Sequence, residues 1–325
     1  MTRAVRIHEL TGPKGLRVDD IDVPAPGAGE VQIDVEAAGV NFPEVLLSYG
    51  KYQFKPSPPF VPGGEAAGVV SAVGPGVTSF APGDRVAATM IHGAFAERIV
   101  VSELACARVP DAVSFDTAAA TLLTYLTTMH ALVDRASLRA GETLLVLGAA
   151  GGVGTAAIDI GRRLGARVIA AASSEEKLAY CRARGAEMTI DYSREDLKER
   201  AKALTKGNGA DVVYDAVGGD YAEQALRSTA WKGRYLVVGF ASGTIPKIPL
   251  NLVLLKGCQI VGVFWGQFAA MDPTKNRAHA EQVFRWIEEG SLSPHISETL
   301  PFTRAGEALE RLEQRKVMGK VVLVP

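Results

Sequence analysis

Three glycines spaced by two residues, Gly148, Gly151 and Gly154, follow the apolar run Leu144-Leu145-Val146-Leu147. A buried strand that turns through glycines into a helix lets backbone N–H groups approach an anion, and the helix N-terminus favours its negative charge. The strict G-x-G-x-x-G form is not met, because Ala149 occupies its first glycine position. Alone, such a string could be only a tight strand-to-helix turn. Its weight comes from opening a long series of alternating strands and helices, which points to dinucleotide binding. Gly151, Gly152, Val153 and Gly154 are therefore candidate cofactor-binding residues.

The next chemical signal lies at the end of the following apolar run, in Ala170-Ala171-Ala172-Ser173-Ser174-Glu175-Glu176-Lys177. An NAD site usually carries an Asp or Glu there, about 20 residues past the glycines, to accept the ribose 2′-OH. Two hydroxyls stand in its place, followed by a lysine within one helical turn. Serine and lysine can donate to a 2′-phosphate, which a carboxylate would repel. The pattern predicts NADPH. Ser173 or Ser174 also reads as a helix cap, which does not conflict with phosphate binding, and Glu175 and Glu176 suit the helix dipole.

Metal chemistry is not expected. The cysteines are three, Cys106, Cys181 and Cys258, far apart and without a CxxC pair. His92 and His130 are equally isolated and read as a loop residue and a helix-face residue. Zinc needs about four N, S or O ligands in tetrahedral reach, which this spacing does not supply.

The elements that must position these groups fall into two textures. Ala4 to His8, Val31 to Ala37, Ala67 to Val73, Arg85 to Ala88 and Ala94 to Val101 read as strands separated by Pro/Gly punctuation, a β-barrel-like module. Phe115 to Arg135 reads as one helix, capped at Ser114 or Asp116. From Gly141 strands alternate with helices: strands at 143–147, 167–172, 188–191, 211–215, 235–238 and 258–263, helices at 152–164, 175–184, 195–204 and 221–226. Repeated units with continuous apolar strands imply a doubly wound parallel sheet. Beyond Gly266, helices at 279–289 and 305–314 and a strand at 321–324 form a tail too short for a domain, expected to pack back on the first module.

With 35 basic and 36 acidic side chains in 325 residues, no electrostatic ground exists for nucleic acid or an anionic membrane as partner. No apolar run of about 18 residues suggests a membrane span, and no signal-peptide core is visible. The scattered, odd-numbered cysteines suit a reducing cytoplasm.

Several stretches together resemble the zinc-independent quinone oxidoreductase (zeta-crystallin-like) family of the medium-chain dehydrogenase/reductase superfamily. They are Ala38-Gly39-Val40-Asn41-Phe42, Pro62-Gly63-Gly64-Glu65-Ala66-Ala67-Gly68, Gly83-Asp84-Arg85-Val86, the glycine turn, Val212-Val213-Tyr214-Asp215 and Gly319-Lys320-Val321-Val322-Leu323. The resemblance implies an α/β fold in which a Rossmann domain (121–266) is inserted in a GroES-like catalytic domain (1–120 plus 267–325), with NADPH in the cleft between them. It places Asn41 and Tyr52 near the nicotinamide with Thr127 below it, and Ser173, Ser174, Lys177 and Tyr192 around the 2′-phosphate. Gly239, Phe240, Phe264 and Lys320 complete the expected cofactor set. Relative to zinc-dependent members, Asn41 falls in the region of the first ligand Cys, and Gly64-Glu65 replaces His-Glu. The chain departs from better-known quinone reductases at Leu46 and Ser48, where they carry Tyr and Arg, and at Thr124-Tyr125, where they carry Lys-Gly.

Without a Lewis acid, the fitting chemistry is hydride transfer to a small acceptor already electrophilic, a quinone or conjugated carbonyl, with Asn41 and Tyr52 as catalytic candidates. Tyr52 also reads as a packing residue of a Pro-rich loop. A second reading is an enoyl- or acryloyl-CoA reductase, for which Lys51, Lys55 and Lys247 are available. A third is an NADPH sensor or structural protein with little turnover. Residues 248–263 combine a Leu-rich piece with a last strand. They are expected to form a homodimer interface with Leu252 and Val261 near it, the alternative being a short helix packed on its own sheet.

Overall fold

The long apolar strands and their glycine turns build two compact units in a computed structural model that describes residues 1–325. One comprises Met1–Leu126 and Gly266–Pro325, the other Thr127–Trp265.

In the first unit the strands are β1 (Thr2–Ile7), β2 (Leu16–Ile21) and β3 (Glu30–Val40), followed by helix α1 (Phe42–Ser48). Then come β4 (Glu65–Val73), β5 (Arg85–Thr89), β6 (Arg98–Ser102), β7 (Cys106–Arg108) and helices α2 (Phe115–Ala119) and α3 (Leu122–Met129). β3 explains the organisation. Its first half alternates, burying Val31, Ile33 and Val35, while Ala37 to Val40 are all buried. The change follows its partners: β6 pairs with Glu30–Asp34, and the last strand of the chain pairs with Ala38–Val40. The C-terminal segment thus completes the N-terminal sheet.

The second unit runs β8 (Thr143–Leu147), α4 (Gly152–Arg163), β9 (Arg167–Ala172), α5 (Glu175–Ala183), β10 (Met188–Asp191) and α6 (Leu197–Leu204). It continues with β11 (Ala210–Asp215), α7 (Tyr221–Arg227), β12 (Thr229–Val237), α8 (Leu250–Lys256) and β13 (Gln259–Gly262). The six strands are all parallel in the order β10-β9-β8-β11-β12-β13. Numbered within the unit this is 3-2-1-4-5-6, the dinucleotide-binding order, whose switch point lies beside β8. Every residue of β8 is buried, as a central parallel strand covered on both faces requires. Helices α9 (Trp265–Met271) and α10 (Pro273–Glu288), strand β14 (Ile296–Pro301), α11 (Ala305–Glu313) and β15 (Lys320–Val324) close the chain.

Four expectations are corrected. The helix expected over 115–135 is broken: α2 stops at Ala120, α3 restarts at Leu122, and His130–Arg135 is a π-helical turn. Thr121 Oγ1 bonds back to Thr117 O (2.5 Å), a local competition that bends helices, and the Leu123 N–H freed by the restart donates to Glu65 Oε2 (2.6 Å). The strand expected from Ala94 begins only at Arg98, because the Phe95 carbonyl instead accepts from Val5 N–H (2.8 Å). Helix α1 was not expected, although Asn41-x-x-Glu44 with Pro43 in the first turn is a helix-start pattern. Finally, the Leu-rich piece is helix α8 packed on its own sheet, with Leu252 buried at 7% exposure in the core under β11 and β12. Leu250, Leu254 and Leu255 face outward instead. No helix is long and apolar enough to cross a membrane.

Candidate active site

In the second unit, β8 is followed by Gly148, whose φ of 65° is left-handed and open to glycine at little cost. Gly151 caps α4, with no side chain occupying the helix end and no acid in its first turn. A Cβ on Gly154 would lie 2.7 Å from Ala149 Cα, so only glycine lets helix and turn approach this closely. Gly151, Gly152 and Val153 remain partly open to solvent while Gly154 onward is buried. An unblocked helix end with accessible amides and no competing carboxylate suits a pyrophosphate.

At the end of β9, Ser173 is exposed and Ser174 caps α5, accepting from Lys177 N–H (3.4 Å). Tyr192 is brought alongside by its own N–H, which donates to Ala172 O (3.1 Å), and its ring packs on Tyr221 with centroids 4.4 Å apart. Ser173, Ser174, Lys177 and Tyr192 thus gather at one corner of the sheet. Thr127 is buried in α3, and Gly239 and exposed Phe240 follow β12. Phe264 is half-exposed just after β13.

In the first unit the polar residues form a buried cluster. Asn41 follows β3 and caps α1, Glu44 sits in the first turn of α1, Glu65 opens β4 and Lys320 opens β15. Lys320 Nζ donates to Glu65 Oε1 (2.8 Å), Val40 O (3.0 Å) and Asn41 Oδ1. Asn41 Nδ2 donates to Glu65 Oε1 (2.8 Å) and Gly39 O (3.3 Å). Lys320 is 4% exposed and Glu65 fully buried. Gly39 admits the group: a Cβ there would lie 2.7 Å from Glu65 Cδ.

Glu44 is the least comfortable member. Its Oε2 accepts from Asn41 N–H (2.7 Å), but burial pushes its carboxyl up to about 7, against the pull of Lys320. Tyr52, half-buried beside Ile7, Leu47 and Phe60, has its phenol raised by burial and by Glu44, and so stays protonated at neutral pH.

Two site expectations change in character. All three protons of the Lys320 ammonium are engaged by protein acceptors, so its expected contact with the cofactor is withdrawn. Both N–H bonds of the Asn41 carboxamide are likewise spent inside the cluster, leaving none for an acceptor oxygen. Glu44 was not anticipated at all, although the same helix-start pattern would have exposed it.

No three His, Cys, Asp or Glu side chains gather as a metal-holding group, and the positive charge beside Glu65 is an ammonium. All three cysteines are buried, and burial pushes the Cys106 and Cys181 thiols up to about 12.

Comparison with known proteins gives a consistent picture. Residues 27–111 match the family model of the alcohol dehydrogenase GroES-like domain, and residues 152–287 that of the zinc-binding dehydrogenases. The chain is 41% identical over 324 residues to the quinone oxidoreductase-like protein 2 homolog of Nematostella vectensis, covering 99% of this chain and 88% of the other. A quinone oxidoreductase of Pseudomonas syringae superposes with a TM-score of 0.92 at 35% identity, over the full length of both chains. The Escherichia coli quinone oxidoreductase, solved in complex with NADPH, superposes with a TM-score of 0.92 at 30% identity, again over both whole chains.

Proposed function

The chain belongs to the zeta-crystallin-like quinone oxidoreductase family of the medium-chain dehydrogenases/reductases, and from that premise we propose that this oxidoreductase transfers a hydride from NADPH to a quinone or similar conjugated carbonyl without zinc. The observation that carries the cofactor reading is the end of β9, where Ser173, Ser174 and Lys177 stand and the residue that would hold a ribose 2′-OH is not an acid. The solved complex of the Escherichia coli relative with NADPH supports it.

NADPH supplies the hydride at C4 of its nicotinamide. The amides at Gly151 to Gly154 would hold the pyrophosphate, and the Ser173, Ser174 and Lys177 donors, with Tyr192, would hold the 2′-phosphate. Thr127, Gly239, Phe240 and Phe264 would border the nicotinamide. Tyr52, kept protonated, would donate a hydrogen bond to the acceptor oxygen as charge develops there, and the proton that completes the reduction would come either from Tyr52, reprotonated in turn by solvent, or directly from water. Asn41 is tied with Lys320 and Glu65 in the buried network of the first unit, where it would act by position rather than as a donor to the acceptor. The ammonium within that cluster supports zinc independence, since it would repel a dication.

The test is steady-state NADPH and NADH oxidation with 1,4-quinones, simple enones and acryloyl- or crotonyl-CoA, with and without a strong chelator. Faster turnover of NADPH with quinones, indifferent to the chelator, is expected. A preference for NADH or chelator-sensitive activity overturns the reading. Turnover confined to the thioesters reassigns the acceptor, and tight NADPH binding without turnover makes the protein a sensor.

We further propose a homodimer through residues 248–263. Leu250, Leu254 and Leu255 are 70–79% exposed on α8, beside the free outer edge of β13, and such apolar edges are normally covered. Light scattering should give a dimer that Leu254→Arg/Leu255→Arg converts to monomer. A wild-type monomer at micromolar concentration refutes it.

A further inference from the structure

We propose that Asp215 and Tyr235 are a buried positioning pair that holds the nicotinamide half of the cofactor site by fixing the two loops beyond β11 and β12. The inference rests on the NADPH reading above. The pyrophosphate turn follows β8, while Ser173 and Ser174 follow β9 and Tyr192 follows β10, so the adenosine side lies over β9 and β10. A dinucleotide laid across the switch point must then send its other half over the ends of β11 and β12.

Two loops meet there. Ala241 N–H donates to Ala216 O (3.1 Å), Ser242 N–H to Val217 O (2.9 Å) and Gly219 N–H to Thr244 O (3.1 Å), so the loops are laced by their main chains. Both hang from Asp215. Its Oδ1 accepts from Val217 N–H (2.8 Å) and Gly218 N–H (2.9 Å), shaping the first loop. Its main-chain oxygen accepts from Val238 N–H (2.9 Å) and Gly239 N–H (3.2 Å), starting the second. Its Oδ2 accepts from the Tyr235 hydroxyl, which arrives from the neighbouring strand. Both side chains are buried, and burial together with the carboxylate holds the Tyr235 phenol far above its ordinary range, fixing it as donor.

A buried carboxylate is costly unless every oxygen is satisfied. Here both oxygens are satisfied, one by the Val217 and Gly218 amides of the first loop and the other by Tyr235. That arrangement reaches the pyrophosphate turn as well, since a Cβ on Gly148 would lie 2.8 Å from Val217 Cγ2. The motif Val212-Val213-Tyr214-Asp215 thereby gains a role beyond filling the sheet.

The test compares binding of NADPH and of 2′,5′-ADP, which carries the adenosine half alone, to the full-length chain by calorimetry. Tyr235→Phe leaves one carboxylate oxygen unpaired and is expected to weaken NADPH about tenfold, with 2′,5′-ADP bound as by the wild type. Asp215→Asn, whose carboxamide oxygen can still accept from Val217 and Gly218, should retain more NADPH affinity than Asp215→Ala. Equal loss of both ligands, no loss of either, or failure of Tyr235→Phe to fold would assign the pair to stability alone and overturn the proposal. A wild type that binds 2′,5′-ADP and NADPH no better than NADH would instead refute the cofactor reading.

Discussion

The two units make their polar centres by opposite means. In the second, the glycine turn presents backbone amides, and nearly everything that shapes it lies between Leu144 and Gly154. In the first, four ionic or amide side chains from positions 41, 44, 65 and 320 share one buried hydrogen-bond network. A backbone site is local and tolerant of its surroundings. A buried charge cluster depends on every partner being present, because each group is stable there only through the others.

The comparison is broken most severely at Lys320. Lys320→Met should leave Glu65 charged, buried and without its ion-pair partner, a loss of about 3–5 kcal/mol. Denaturant unfolding would measure it, and a loss below about 1 kcal/mol would show that the cluster relaxes or takes in water.

Glu44 sharpens the same contrast through pH. Its carboxyl is raised from 4.5 to about 7 in the fold, so the folded state holds a proton that the unfolded state has released over that range. Its contribution is therefore most favourable below about pH 4.5, is lost as pH rises toward 7, and stays unfavourable above. Glu44→Gln keeps an acceptor for Asn41 N–H and removes the titration. It should gain about 2–3 kcal/mol over the wild type at pH 8, with the advantage vanishing near pH 4. Parallel stability curves from pH 4 to 8 would refute this.

The smallest effect belongs to the backbone-built half. Lys177→Ala removes one charge-assisted contact at the edge of the site and should weaken NADPH by about 1–2 kcal/mol while leaving NADH and stability unchanged. Fluorescence titration with both nucleotides checks it, and equal weakening of the two would remove Lys177 from the 2′-phosphate site.

Legibility followed the same division. The strands at 143–147, 167–172 and 188–191 coincide with their expected bounds; for the first two the reason is that parallel strands buried in the middle of a sheet write continuous apolar runs. Helix α1 and the break between α2 and α3 were not read, since both serve the cluster: one caps Asn41 through Glu44, the other turns Leu123 N–H toward Glu65. Leu252 and its neighbours form one Leu-rich run in the sequence, and helical rotation decides which leucines turn inward.

The sequence by itself determined the doubly wound sheet, the glycine turn, the hydroxyl-and-lysine pattern at the end of β9 and a histidine and cysteine inventory without ligand spacing. These are local properties, carried by periodicity and by residues within a few positions of one another. Only the tertiary structure decided that Lys320 spends its charge on Glu65 and Asn41 and that Asp215 meets Tyr235. Those encounters are set by strand register across separations of 20 to 279 residues, and a change of partner strand would undo each of them without altering a single local signal.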